Sequence, residues 1–166
     1  MLTVIIKMRK LWISDDWDKY LDEDRRKGIR LRFEKGTDPE LRAEIIKFIN
    51  WLRSEYEFPM RVPIYLKNAK QIKAMNGDLV CATFFGPFDK TLEPYIRAAI
   101  GDYQDLLEER GKINALGAIF CSIAHELSHY FQWIKASTDE ELNERQAKYY
   151  GNAIAHDYFD YNWESE

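Results

Sequence analysis

Residues 112–135 read KINALGAIFCSIAHELSHYFQWIK and predict the element around which the fold is organised. Apolar residues recur in this segment at steps of three and four, the spacing of one continuous stripe along a helix. They are Leu116, Phe120, Ile123, Leu127, Tyr130 and Ile134. The opposite face carries mostly small and polar residues. The sequence therefore predicts a helix whose apolar stripe is buried and whose opposite, polar face lines an exposed cleft.

The polar face of this helix contains the pattern H-E-x-x-H, from His125 to His129. Histidines four residues apart lie one above the other, about 6 Å apart along the helix axis, so both imidazoles reach one tetrahedral metal ion. Glu126 projects about 100° round the helix. Its carboxylate is then beside the metal, where a base for a zinc-bound water belongs. The alternative is that both histidines are ordinary helix residues paired with neighbouring groups.

A catalytic zinc ion needs a third protein ligand and keeps its fourth position for water. The metzincin pattern is excluded, because Gln132 and Lys135 occupy the positions of its glycine and its last histidine. Further along, Thr138 and Glu141 form a capping box, which predicts a second helix with Thr138 as its N-cap.

Glu144 on this second helix is the predicted third ligand. The residues three, seven and eleven positions later are Ala147, Gly151 and Ala155. These small residues share a face with Glu144 and allow the two helices to approach closely, as a carboxylate bound about 2 Å from the metal requires. Glu140, one turn earlier, is the alternative ligand.

The two segments together resemble the gluzincin metallopeptidases. In this group H-E-x-x-H is followed by a glutamate on a second helix, often as E-x-x-A-D-x-x-G. Residues 125–129 match the first part and residues 144–151 match the second, so the resemblance covers roughly the last third of the chain. The match is similar to the minigluzincins and to the soluble catalytic cores of the CAAX prenyl protease and HtpX families. Lys148 departs from the pattern, since these families carry there an aspartate that orients a zinc-bound histidine.

The expected activity is that of a zinc metallopeptidase, a hydrolase that cleaves peptide bonds. Zinc held by His125, His129 and Glu144 would activate a water molecule whose proton passes to Glu126. The resemblance also implies a peptide or protein substrate that lies extended along an edge strand over the zinc ion. The oxyanion donor is unassigned, because His156 is predicted to face away from the metal.

Turn and capping signals predict the other elements. Asp38 and Pro39 begin a helix that ends near Tyr56, and Asn76-Gly77 forms a hairpin turn. A charged surface helix is expected over Ser14–Lys27 and a short helix over 102–111. The predicted strands are Leu2–Ile13, Ile29–Phe33, Val62–Leu66, Gln71–Met75, Leu79–Phe85 and Tyr95–Ile100. This order predicts a single α+β domain over residues 1–166, zincin-like, with a mostly antiparallel sheet packed on helices.

Composition limits the possible classes of protein. A chain of 166 residues with 46% hydrophobic residues is long and apolar enough for a sizeable core. The net charge of −4 provides no basic surface for nucleic acid. The apolar run Val4–Ile6 is too short for a signal or a membrane span, so we expect a cytoplasmic protein with no membrane span. Cys81 and Cys121 predict no disulfide framework and are expected to be small buried hydrophobes.

Three alternatives to an active peptidase of this type are considered. Peptide deformylases combine H-E-x-x-H with a cysteine ligand upstream, and Cys81 would be that cysteine here. The other motifs of that family are absent from the sequence. The aromatic, acidic tail Asp157–Glu166 could hold a latent peptidase inactive, as the resemblance to minigluzincins suggests. The chain could also be a non-catalytic, zinc-stabilised binding module, with a protein partner at the charged segment Ser14–Lys27.

Overall fold

The computed structural model describes residues 11–14 and 16–164 of the chain, the last two by their backbone alone. Four α-helices and six β-strands lie within these residues. The strands are β1 (Ile29–Phe33), β2 (Val62–Lys67), β3 (Ile72–Lys73), β4 (Leu79–Val80), β5 (Ala82–Phe85) and β6 (Tyr95–Ala99). The helices are α1 (Pro39–Glu55), α2 (Tyr103–Arg110), α3 (Lys112–Ile134) and α4 (Glu140–Glu164). The predicted α+β class is confirmed, and none of these helices is both long and apolar enough to span a bilayer.

The main sheet has four strands in the order β1-β2-β6-β5. β1 pairs with β2 and β2 with β6 in parallel, and only β5 runs antiparallel to β6. The expectation of a mostly antiparallel sheet is therefore wrong, and the sheet is mixed. The reason lies in the connections, because α1 crosses over between β1 and β2 and returns the chain in the same direction. β3 and β4 form a separate antiparallel hairpin around Asn76-Gly77, as predicted.

Helix α1 begins and ends where its capping residues predict. The side chain of Asp38 accepts a hydrogen bond from the backbone N–H of Leu41 at 3.1 Å, and Pro39 occupies the first turn. The apolar stripe of this helix is buried: Leu41, Ile45, Phe48, Ile49 and Leu52 are each at most 1% exposed. The helix ends at Glu55, before the proline at position 59.

Helix α3 is the centre of the core. All six residues of its predicted apolar stripe are buried. Phe120 stacks on Phe48 of α1 with ring centroids 4.3 Å apart. The hydroxyl of Tyr130 accepts a hydrogen bond from the backbone N–H of Met60 at 2.9 Å. These contacts hold the apolar stripe of α3 against the core, so the polar face of the helix points away from the core.

Helices α3 and α4 pack closely along the small residues of α4. A Cβ atom at Gly151 would lie 3.0 Å from the carbonyl oxygen of Cys121 and 3.4 Å from Cβ of His125. Ala147 is fully buried and Ala155 is 6% exposed. The predicted small face is confirmed. Because the contact at Gly151 involves His125 itself, it determines how near α4 comes to the H-E-x-x-H segment.

The start of α4 differs from the predicted capping box. The helix begins at Glu140, and the side chain of Asp139 accepts a hydrogen bond from the backbone N–H of Leu142 at 3.0 Å. Asp139 is therefore the N-cap in place of Thr138. Both residue types cap helices, and local sequence alone does not separate adjacent candidates.

Near the N-terminus the expectations are corrected. Most of the predicted strand Leu2–Ile13 lies outside the described residues, and residues 11–13 are not in a strand. The segment Ser14–Lys27 contains only a short 3₁₀ turn, Trp17–Lys19, where a surface helix was expected. Trp17 is 3% exposed and its ring stacks on Phe131. The burial of Trp17 determines the path of the segment. The charge pattern did not indicate this burial.

The described part of the C-terminal tail continues α4, and Tyr158, Phe159 and Tyr161 pack towards α1 and α3. Tyr158 is 1% exposed and contacts the rings of Phe48, Trp51 and Phe120. Tyr158 lies 14 residues after Glu144, about 21 Å along the helix axis. Thus the described part of the tail forms the far end of the core.

Gly151→Val tests the contact between α3 and α4. The added side chain has no space against the carbonyl of Cys121, so we expect the free energy of unfolding to fall by about 1–3 kcal/mol. Arg145→Val is the control, since it places the same side chain at an exposed position of α4, with an expected effect within about 0.5 kcal/mol. Urea denaturation followed by circular dichroism measures both. Equal stability of the two variants would contradict the close packing.

Candidate metal centre

A cleft of about 590 Å³ opens between β5, the second half of α3 and the start of α4. His125, Glu126 and His129 line it from α3, and Glu144 lines it from α4. The described part of the C-terminal tail does not line this cleft. The buried stripe of α3 faces the core, so the residues on its opposite side are directed into the cleft.

Three predicted ligand residues converge in this cleft. Nε2 of His129 lies 2.7 Å from Oε1 of Glu144, and Nε2 of His125 lies 3.5 Å from Oε2 of the same carboxylate. The ligand atoms of all three residues lie within 4.8 Å of one another. Ligands about 2.0–2.2 Å from a tetrahedral zinc ion are separated by roughly 3.3–3.6 Å. The N,N,O donor set could bind one metal ion, with the 2.7 Å contact between Nε2 of His129 and Oε1 of Glu144 lengthening to that separation.

The other candidate residues are not part of this cluster. Among the described residues, only these three form a group of His, Cys, Asp or Glu side chains at metal-binding spacing. Glu140, the alternative ligand, is exposed. His156 is exposed and lies 3.4 Å from Asp160, so it faces away from the cleft as predicted. Cys81 is exposed rather than buried, and Cys121 is half-buried.

Burial favours the neutral form of His125. Partial removal from water lowers the pKa of this imidazole, and the neighbouring His129 lowers it further. The carboxylate of Glu144 acts in the opposite direction. The net result is a lowered pKa, and the neutral imidazole is the form that binds a metal ion.

Glu126 lies beside the cluster with 8% of its surface exposed. Burial raises the pKa of its carboxyl group to about 7. His129 lowers this pKa, Glu144 raises it, and a hydrogen bond from the backbone of Phe84 lowers it. A pKa close to neutrality is suited to a group that takes up and releases a proton during a reaction.

The strand at the edge of the cleft is β5. β6 lies between β2 and β5, so of the two predicted candidates Leu79–Phe85 contains the edge strand and Tyr95–Ile100 is interior. The carbonyl of Cys81 accepts a hydrogen bond from the N–H of Ala99 at 2.7 Å. Since hydrogen-bonded pairs alternate along an antiparallel ladder, the backbone groups of Ala82 and Phe84 point to the free side. That side borders the cleft.

Gln132 is a site residue that the H-E-x-x-H pattern does not predict. Its Oε1 lies 2.7 Å from Nδ1 of His129, and its Nε2 donates to the backbone carbonyl of Asn143 and to Oε1 of Gln146. The available signal is its position on α3, three residues after His129. At that spacing two side chains of one helix are neighbours.

Trp133 forms a further part of the cleft wall. Its indole N–H donates to the backbone carbonyl of Pro87 at 2.9 Å, and its ring contacts Phe84 of the edge strand. A Cβ atom at Gly86 would overlap this ring. The glycine therefore allows the loop after β5 to pack directly on the indole.

Comparisons of the chain with protein-family models, curated proteins and solved structures found no match. The functional inference therefore depends on the geometry of the cleft. That geometry combines three side chains that could bind a metal ion, a buried carboxyl group and the outer edge of β5, which pairs with no other described strand.

Glu144→Gln tests the third ligand. An amide is a much weaker ligand than a carboxylate, so we expect zinc affinity to fall more than about 100-fold, beyond the 10–100-fold loss typical of residues that only support a ligand. Glu140→Gln is the matched control and should retain the affinity of the unaltered chain. Competition with a chromophoric chelator measures both. If Glu140→Gln weakens binding and Glu144→Gln does not, the assignment of the ligand is reversed.

Proposed function

We propose that this protein is a zinc-dependent metallopeptidase of the gluzincin type that hydrolyses peptide bonds in peptide or protein substrates. The observation that carries the proposal is the convergence of His125, His129 and Glu144 in a cleft that also contains the buried Glu126. In this cleft the candidate ligands come from two helices and the candidate base from one of them.

The three ligand residues would hold the metal through Nε2 of each histidine and the carboxylate of Glu144. When bound, zinc supplies a Lewis acid that acidifies water and polarises a carbonyl group. The neutral form of His125 is favoured by burial. One carboxylate and two neutral imidazoles would leave a net positive charge at a bound zinc ion.

Glu126 is the proposed general base. It follows His125 directly, so its carboxylate is beside the ligand cluster and not within it. Burial raises the pKa of this group to about 7, and the positive charge of a bound zinc ion would act against this shift, so the carboxylate could accept a proton from the attacking water and donate it to the leaving amine. The surrounding protein excludes most water from the carboxylate, which is 8% exposed.

The edge strand β5 is the proposed binding site for the substrate backbone. Ala82 directs its N–H and C=O groups to the free side of this strand, and Phe84 directs its C=O group there, while the N–H of Phe84 donates to Glu126. An extended peptide that pairs with this edge would run along the cleft as an added strand. Its backbone would then pass the ligand cluster, and Trp133 would contact its side chains.

Glu126→Gln separates metal binding from catalysis. The amide cannot accept the proton of the attacking water, so we expect hydrolysis to fall at least 10²–10⁴-fold, the usual contribution of a general base. Zinc affinity should remain within a few-fold of the unaltered chain, because Glu126 is not a ligand. Digestion of a peptide library by the zinc-loaded protein, read by mass spectrometry, measures the activity.

The control for this experiment is Glu140→Gln, which removes an exposed carboxylate of α4 and should leave cleavage unchanged. Undiminished hydrolysis by Glu126→Gln would contradict the assigned base. Tight zinc binding with no cleavage by any form of the chain would favour the non-catalytic binding module. In that case chelation should unfold the protein.

Ala82→Pro tests pairing of the substrate with β5. The substitution removes an N–H that points to the free side and leaves the ladder to β6 intact. Loss of one hydrogen bond to the peptide should lower kcat/KM about 3–10-fold, mainly by raising KM. Thr83→Pro is the structural contrast, since it removes an N–H bonded to β6 and should lower the Tm. A kcat/KM for Ala82→Pro equal to that of the unaltered chain would contradict this binding mode.

A further inference from the structure

The side chain of Gln132 is buried, with 2% of its surface exposed, and its amide has one defined orientation. Nε2 donates to the backbone carbonyl of Asn143 at 2.8 Å and to Oε1 of Gln146 at 3.1 Å. A carbonyl oxygen only accepts hydrogen bonds, so the nitrogen of the Gln132 amide must point towards α4. Its Oε1 therefore points the other way, towards Nδ1 of His129.

Two oxygen atoms compete for the ring proton of His129. Oε1 of Gln132 lies 2.7 Å from Nδ1, and Oε1 of Glu144 lies 2.7 Å from Nε2. A neutral imidazole has one N–H, and only the other nitrogen has a lone pair for a metal ion. A proton on Nε2 would pair with Glu144 and block the nitrogen that faces the cleft.

An acceptor left without a donor in the protein interior is destabilising, so the fold favours a proton on Nδ1, where it satisfies Oε1 of Gln132. We propose that Gln132 is a positioning residue that holds the proton of His129 on Nδ1 and thereby leaves Nε2 free to bind the metal ion. This role rests on the proposed function. It depends on three hydrogen bonds from one buried side chain that joins α3 to α4.

Gln132 supplies to His129 the kind of hydrogen bond that the resemblance assigned to an aspartate at the position of Lys148, a residue whose charge acts on His125. Lys148 is an exposed cation on α4, and a cation cannot accept the Nδ1 proton. Gln132 lies on α3 itself, one turn after His129. The acceptor for His129 therefore lies on the histidine helix, and its amide also has a donor for α4 that a carboxylate lacks.

Substitution of Gln132 by two residues of similar size separates the acceptor from the donor. Gln132→Met removes both, so we expect the proton of His129 to move to Nε2 and zinc affinity to fall about 10–100-fold. Gln132→Glu keeps an acceptor beside Nδ1 and places a carboxylate against the carbonyl of Asn143. It should keep the proton on Nδ1 and bind zinc at least as tightly as the unaltered chain, with a lower Tm.

Two measurements distinguish positioning from general support. ¹⁵N NMR of the metal-free protein at about pH 8, where free imidazole is neutral, reports which nitrogen of His129 carries the proton. Chelator competition gives the zinc dissociation constant, and thermal unfolding gives the Tm of each variant. Gln146→Ala is the matched control, because it removes one acceptor of Nε2 and keeps the contact with His129. Its zinc affinity should stay within about threefold of the unaltered chain, less than the loss expected for a supporting residue.

A proton found only on Nε2 of His129 in the unaltered protein would overturn the proposed role. Unchanged zinc affinity in Gln132→Met would also overturn it, and so would an equal loss of affinity in Gln132→Glu and Gln132→Met. An equal loss would mean that zinc affinity depends on the packing of α3 against α4 and not on the hydrogen-bond acceptor beside Nδ1. Failure of the unaltered chain to bind zinc would contradict the proposed function, while the NMR measurement would still decide the position of the proton.

Discussion

The contact between α3 and α4 at Gly151 is the constraint on which the rest of the site depends. Glu144 lies seven residues before this glycine, about two helical turns away on the same face. A side chain at position 151 would press on the carbonyl of Cys121 and on Cβ of His125. It would separate the two helices near the histidines, whereas a shared metal ion requires ligand atoms about 2 Å from one point. The conformational cost of a glycine within a helix is offset by this approach.

Burial shifts the pKa values of His125 and Glu126 in opposite directions, and in both cases it favours the neutral form. Removal from water disfavours charge, so it lowers the pKa of His125 and raises the pKa of Glu126 to about 7. Both groups move towards their neutral forms near neutral pH. The neutral imidazole is the form that binds a metal ion. A carboxyl group with a pKa near neutrality readily exchanges a proton. The cleft walls formed by β5 and α4 remove His125 and Glu126 from water and so give the polar face of α3 these properties.

The topology of the sheet determines what borders the cleft. Parallel pairing of β1, β2 and β6 places β6 in the interior, and the antiparallel β5 completes the sheet beside α3. An unpaired strand edge is normally a risk for aggregation. Here the outer edge of β5, which pairs with no other described strand, lies next to the candidate ligands, with the backbone groups of Ala82 directed outward. In the proposed peptidase this edge is where a substrate backbone would bind.

The sequence by itself determined the features that depend on neighbours in the chain. The apolar stripe of α3, the capped α1 and the hairpin turn follow local spacing, and so do the two histidines four residues apart. The small face that includes Gly151 also marked the close packing of α4. Only the tertiary structure decided the parallel pairing, the identity of the edge strand, the burial of Trp17 and the contact of Gln132 with His129 and Asn143. Each of these depends on which distant segments meet. A periodic pattern reports which face of an element is buried, but it carries no information about the partner against which that face packs.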